Sequence, residues 1–181
     1  MIRRVLVLFV YTLFAVGCTS QISSNTENQG ECKDVTLRNG IAYSESEQCA
    51  EELNVGAVKA TMRRLAQRKG VITTNSGLQY RVLRSGTGEK PTVDSTVVVH
   101  YTGKLVSGLE FDSSYKRKLP ARFPVDKVIP GWTEGLQLME VGAKYEFMVP
   151  PNLAYGKKGA GRVIGPYEIL IFEVELLRID L

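Results

Sequence analysis

A repeated alternation of apolar and polar residues, running from about residue 78 to the C-terminus, most constrains the fold of this chain. Leu78-Gln79-Tyr80-Arg81-Val82-Leu83 alternates until Ser85-Gly86-Thr87-Gly88 interrupts it. Val97, Val99 and Tyr101 share one side of a second run, with Val98, His100 and Thr102 on the other. Tyr145, Phe147 and Val149 form a third run ahead of Pro150-Pro151, and in a fourth Leu170, Phe172, Val174 and Leu176 oppose Glu173 and Glu175. A period of two is the signature of half-buried strands. Between the strands, Pro130-Gly131 opens a short helix of about Trp132 to Met139, stopped near Gly142. The reading is α+β: an antiparallel, twisted β-sheet wrapped on one short helix.

Residues 32–72 read as a small helical segment ahead of that sheet. Ser44 and Glu47 have capping-box spacing, and Val55, Val58, Met62 and Leu65 recur at three- and four-residue steps. Asn54 and Gly56 are expected to split the helix in two, and Gly70 fits as its stop. Arg63, Arg64, Arg68 and Lys69 place positive charge at its C-terminal end, as the helix dipole favours. The apolar stripe can pack on the following domain or on a second copy, which leaves a homodimer open.

The first residues have another character. Arg3 and Arg4 precede an apolar run from Val5 to Val16, then Gly17 and Cys18. That run is shorter than the roughly 20 apolar residues of a transmembrane helix and reads as an export signal over 1–17. Phe14-Ala15-Val16-Gly17-Cys18 resembles a bacterial lipobox, with Ala15 where Leu is usual; the alternative is a plain signal peptide and a free thiol. By the first reading Cys18 is lipidated and anchors the chain to a membrane. Thr19 following it favours the periplasmic face of an outer membrane. Residues 18–31, rich in Ser, Asn, Gln and Thr, read as a flexible tether that cannot bury enough apolar area to fold. In an exported chain the remaining pair, Cys32 and Cys49, reads as a disulfide, with two reduced thiols as the alternative.

Composition removes several function classes. The net charge of +4 comes from 23 basic and 19 acidic side chains; residues 1–17 hold two of the arginines and no acids, which leaves 21 against 19, or +2. Lys116-Arg117-Lys118 and Lys157-Lys158 read as solvated loop charge, and no aromatic residues are interleaved to stack bases, so nucleic acid is not an expected partner. His100 is the single histidine and sits among valines, without partners for a metal site. Gly156-Lys157-Lys158-Gly159-Ala160-Gly161 lacks the Gly-Lys-Ser/Thr ending of a phosphate loop. Glu110 and Asp112 do not build a glycosidase cleft, and Phe147, Leu170 and Tyr80 read as core packing.

What remains is a set of segments in a fixed order: Val97-Val98-Val99-His100-Tyr101-Thr102-Gly103, Phe111-Asp112-Ser113-Ser114, Val128-Ile129-Pro130-Gly131-Trp132, Ala154-Tyr155-Gly156 and Phe172-Glu173-Val174-Glu175-Leu176. Residues 73–181, which carry them, resemble the FKBP-type peptidyl-prolyl cis-trans isomerases. Ser76-Gly77-Leu78-Gln79-Tyr80 and the stretch from Gly131 to Met139 resemble the bacterial macrophage-infectivity-potentiator-like branch. The resemblance implies an enzyme that needs no cofactor and takes proline-containing polypeptides as substrates. It implies that Trp132 floors a prolyl pocket walled by Tyr101, Phe111, Phe123, Val128, Ile129 and Phe172. It further implies that the Ile129 N–H and the Tyr155 hydroxyl donate to substrate carbonyls, that Asp112 sits at the rim beside Arg117 and Tyr101, and that Val163 and Ile164 belong to a loop over the site. Ala121 stands where many members carry a further aromatic residue, and the segment from Phe123 to Val128 is short, which should open one side of the pocket. A non-catalytic chaperone or binding module on the same frame is the alternative function.

Overall fold

The computed structural model describes residues 32, 34–38, 41–44 and 46–180. The expected signal peptide (1–17), the tether (18–31) and the lipidation site Cys18 lie outside the described residues.

Seven strands form an antiparallel sheet: the four that the alternation predicts, β4 (Gln79–Arg84), β5 (Thr96–Leu105), β8 (Lys144–Val149) and β9 (Leu170–Asp180), and three short ones beyond them, β3 (Val71–Thr73), β6 (Glu110–Ser113) and β7 (Ala121–Pro124). Their order is β3-β4-β8-β9-β5-β6, and β7 joins the first half of β5 while β6 joins the second. The long pair β5–β9 is the spine: Tyr101 faces Val174, and Gly103 faces Phe172. Helix α2 (Pro130–Leu138) begins with proline in its first turn, where a missing N–H costs nothing. It lies on the face lined by Val97, Val99, Phe147, Val149 and Val174. Gly135 permits that close approach, since a Cβ there would lie 2.8 Å from the Phe147 ring.

The second face of the sheet is covered in part as well, at Met148 of β8. Phe147 and Val149 turn toward α2, whereas Met148, also fully buried, turns to the opposite side. There it meets Met62 and Leu65 of helix α1 (Glu47–Ala66), together with Ile169. The helix is continuous, contrary to the expected break at Asn54 and Gly56. Asn54 is buried and spends its side chain outside the helix: its Oδ1 accepts from the Ala42 N–H at 2.8 Å and its Nδ2 donates to the Ala42 carbonyl at 2.9 Å. The N-cap is Ser46, whose hydroxyl accepts from the Cys49 N–H at 3.4 Å, rather than Ser44. Val55 faces solvent and is not part of the packed stripe.

Ala42 belongs to a hairpin that the periodicity did not predict, β1 (Thr36–Arg38) paired with β2 (Ile41–Tyr43). Cys32 and Cys49 are joined as a disulfide with Cα atoms 5.9 Å apart. The hairpin is therefore tied to α1 twice, by the disulfide at Cys32 ahead of β1 and by the Asn54 amide at Ala42 within β2. Farther along, Arg68 reaches back to the sheet, where the buried Glu146 lies 3.0 Å from Arg68 and 3.1 Å from Arg81.

Candidate functional site

The second half of β5, β6, β7, the start of α2 and the segment after β8 surround a cavity of about 530 Å³. The size suits a few residues of an extended peptide or a small molecule. Trp132 is its floor, buried to 4% exposure. Three aromatic rings meet the indole edge-to-face: Tyr101 and Phe172 with centroids 5.2 Å away, and Phe123 at 5.6 Å. Phe111 stands perpendicular to Phe172 at 5.6 Å. Edge-to-face contacts of this kind are each worth about 0.5–1.5 kcal/mol beyond area burial and fix ring orientation. The walls are thus rigid before any ligand arrives.

Backbone economy explains how the walls fit. Gly103 lies opposite Phe172 on β9, and a Cβ there would fall 2.7 Å from the Phe111 ring and 2.9 Å from that of Phe172. Only glycine lets both rings close over the strand. Ile129 is the N-cap of α2; its carbonyl accepts from the Trp132 N–H at 2.8 Å and the Thr133 N–H at 3.0 Å. Its own N–H is one of those a helix cannot satisfy internally.

The polar rim is a three-membered network. The Asp112 carboxylate accepts from the Tyr101 hydroxyl and from the Arg117 guanidinium, and Arg117 also donates to the Tyr101 oxygen at 3.0 Å. The guanidinium lies 5.6 Å from the Tyr101 ring centroid. Burial raises the Asp112 carboxyl, but the Tyr101 hydroxyl and Arg117 outweigh it and hold the group below the ordinary carboxylate range. Burial, then the Asp112 hydrogen bond, push the Tyr101 hydroxyl up. Asp112 is therefore an anion at neutral pH, and Tyr101 a neutral donor. Tyr155 lines the opposite rim, 42% exposed.

The structure brings Tyr101, Phe111, Asp112, Phe123, Val128, Ile129, Trp132, Tyr155 and Phe172 around one cavity. Val163 and Ile164 do not line it. Val163 is exposed, Ile164 packs against the core, and both line a separate, neighbouring cavity. Their loop lies beside the β1–β2 hairpin, whose Ile41 approaches Gly165. Two lining residues escaped the sequence reading, Lys127 and Ala154. Each adjoins a residue that did not, Val128 and Tyr155, and that adjacency was the available signal. His100 faces away from the cavity, with Nδ1 2.9 Å from the Ser114 hydroxyl and its ring stacked on Tyr115. Among the described residues, no cluster of side chains suits a metal ion.

Comparison with known proteins agrees with this geometry. The sequence profile of the FKBP-type peptidyl-prolyl cis-trans isomerases matches residues 87–177. The FKBP-type 22 kDa peptidyl-prolyl cis-trans isomerase of Escherichia coli is 55% identical over 114 residues, 63% of this chain and 55% of that protein. The outer membrane protein MIP of Legionella longbeachae is 50% identical over 110 residues, 61% of this chain and 47% of that one. The chain thus spans about half the length of the curated relatives it matches. Among solved structures, FkpA from Escherichia coli superposes with a TM-score of 0.67 at 42% identity, covering 74% of this chain and 66% of that one. A peptidyl-prolyl cis-trans isomerase from Pseudomonas syringae gives 0.68 at 38% identity, covering 72% and 96%. On its profile match, its relatives and its aromatic cavity, the chain belongs to the FKBP-type peptidyl-prolyl cis-trans isomerase family, in its Mip-like branch.

Proposed function

We propose that the chain accelerates cis-trans rotation about Xaa-Pro bonds in exported polypeptides, and that residues 73–181 carry the site. Amide resonance sets a barrier of about 18–20 kcal/mol, so the uncatalysed step takes tens to hundreds of seconds. Water solvates the planar, charge-separated amide better than the twisted one. An apolar cavity that strips this water away favours the twisted transition state without a covalent step. The observation that carries the reading is the rigid aromatic cage on Trp132, whose rim supplies an uncommitted N–H at Ile129. The prolyl ring would stack on Trp132 between Tyr101, Phe111, Phe123, Val128 and Phe172. Ile129 N–H and Tyr155 Oη would donate to substrate carbonyls, and the Asp112 anion would keep Tyr101 and Arg117 oriented at the rim.

The test is an exchange assay on short Xaa-Pro peptides with Leu or Ala before the proline. Acceleration that falls at least tenfold in Asp112→Val with Tyr155→Phe supports the isomerase and these residues. A folded protein that gives no acceleration would instead be a binding module or chaperone on the same frame.

The cellular setting belongs to the same proposal. Export under the signal at 1–17, lipidation at Cys18 and a tether over 18–31 would hold the domain at a membrane, at the periplasmic face of the outer membrane. The name of the Legionella longbeachae relative, an outer membrane protein, supports this placement. Among the described residues, no helix is long and apolar enough to cross a membrane. A homodimer through α1 would use Leu53 and Val55, because Met62 and Leu65 are already packed on Met148 and Ile169.

A further inference from the structure

Next to the aromatic cavity lies a larger one, of about 1070 Å³, between the β1–β2 hairpin, the β5–β6 turn and the loop before β9. Its walls include Ile41 and Leu105, and its charged residues are Arg38, Lys158 and Arg162 against the single acid Glu168. None of the three cations makes an ion pair among the described residues. Burial raises the Glu168 carboxyl above its ordinary value. The hairpin that supplies Arg38 precedes the residues matched by the family profile, so the groove is not built from the family's common part alone.

The two cavities adjoin along two stretches of chain. Leu109, just before β6, lines the larger and Phe111, two residues on, the smaller. Lys158 lines the larger and Tyr155 the smaller, within one loop. A polypeptide seated on Trp132 therefore reaches the groove within a few residues.

Resting on the isomerase reading above, we infer that this groove is a second binding site for the same client chain, taking an extended, acidic segment that flanks the prolyl residue. Apolar walls suit an unfolded segment's side chains, and the unpaired cations select Asp and Glu over Lys and Arg.

The experiment uses the full chain and fluorescein-labelled Leu-Pro peptides carrying a Glu-rich tail, a Gln-rich tail or none. The Glu-tailed peptide is expected to bind about fivefold more tightly than the Gln-tailed one, the sum of two or three exposed ion pairs. That preference should vanish on Arg38→Glu with Arg162→Glu and fade at raised salt, while turnover of the tail-less peptide stays unchanged. Equal binding of the two tails, or a preference that survives the charge reversal, would overturn the inference. So would a reversal that alters the sedimentation of the protein but not its tail preference, which would give the groove to a second copy. Failure of the isomerase reading is separately visible as no acceleration of the tail-less peptide, because the tail preference is read as binding.

Discussion

Gly103 shows how much of the site depends on a single missing methyl group. Its position opposite Phe172 leaves no room for a Cβ, yet the atoms it would strike are ring edges at the end of side chains rather than backbone. Gly103→Ala is therefore expected to tilt Phe111 and Phe172 out of the cage at a stability cost of about 1–3 kcal/mol. Turnover should fall about tenfold or more, through KM as well as kcat; unaltered kinetics in a folded Gly103→Ala protein would remove these rings from the substrate's path. Asp112 gives a prediction with a pH sign. Its folded value is depressed, so its contribution to stability is complete above the ordinary value near 4 and is lost as pH falls through the lower folded one. Asp112→Asn should then unfold at lower urea than the parent at pH 7, and the gap should close as the pH approaches 2. A gap that persists in acid would mean that Asp112 acts by shape rather than by charge.

At the scale of elements, the strands whose faces differ were legible and the hairpin was not. β5, β8 and β9 announce themselves because Tyr101, Phe147 and Phe172 recur with other apolar residues at every second position. The same runs carried a second message: Phe147-Met148-Val149 is apolar without interruption, as expected of a strand covered on both faces. That cover is α1, whose Met62 and Leu65 pack with Met148. β1 and β2 are three residues each, too short for a period, and the only signal was Asn39-Gly40, a favoured two-residue hairpin sequence between them. The aromatic cage was legible only through family resemblance, since spacing alone cannot separate a cavity wall from core. The neighbouring cavity that Val163 and Ile164 line had no signal in the sequence, because the hairpin that completes it was itself unseen. The hairpin's attachment is testable. Asn54→Ala leaves two buried backbone groups of Ala42 without partners and should cost about 2 kcal/mol. Cys32→Ser with Cys49→Ser should cost about 3 kcal/mol in the chain-entropy view. Amide exchange should rise at Ala42 in either variant and stay unchanged at Val174, in the middle of the sheet.

Over the whole molecule, the sheet separates two tasks. One face, with α2, builds the cavity; the other binds α1 through Met148 and Ile169, the Gln79–Met62 hydrogen bond and the Glu146 ion pairs. Every residue lining the aromatic cavity lies at Tyr101 or beyond. A chain beginning at Thr74 would therefore keep the cavity while losing α1, β3, the hairpin and the disulfide. It would expose Met148 and Ile169, now 0% and 4% accessible, at about 1.5–3 kcal/mol each, so a loss of about 3–6 kcal/mol is expected. Glu146 would keep Arg81 but lose Arg68, which adds to the deficit rather than offsetting it. Turnover of short Xaa-Pro peptides at low temperature should nonetheless stay within about twofold of the full chain, since no reacting contact has been removed. Preference for an acidic flank should disappear with Arg38 and Ile41. Urea unfolding, short-peptide turnover and tail preference, measured together on the truncated chain, thus separate what the N-terminal segment does for stability from what it does for recognition. A truncated chain as stable as the parent would mean that the packing under Met148 contributes little. One that is stable but inactive would mean that α1 shapes the catalytic face through the sheet.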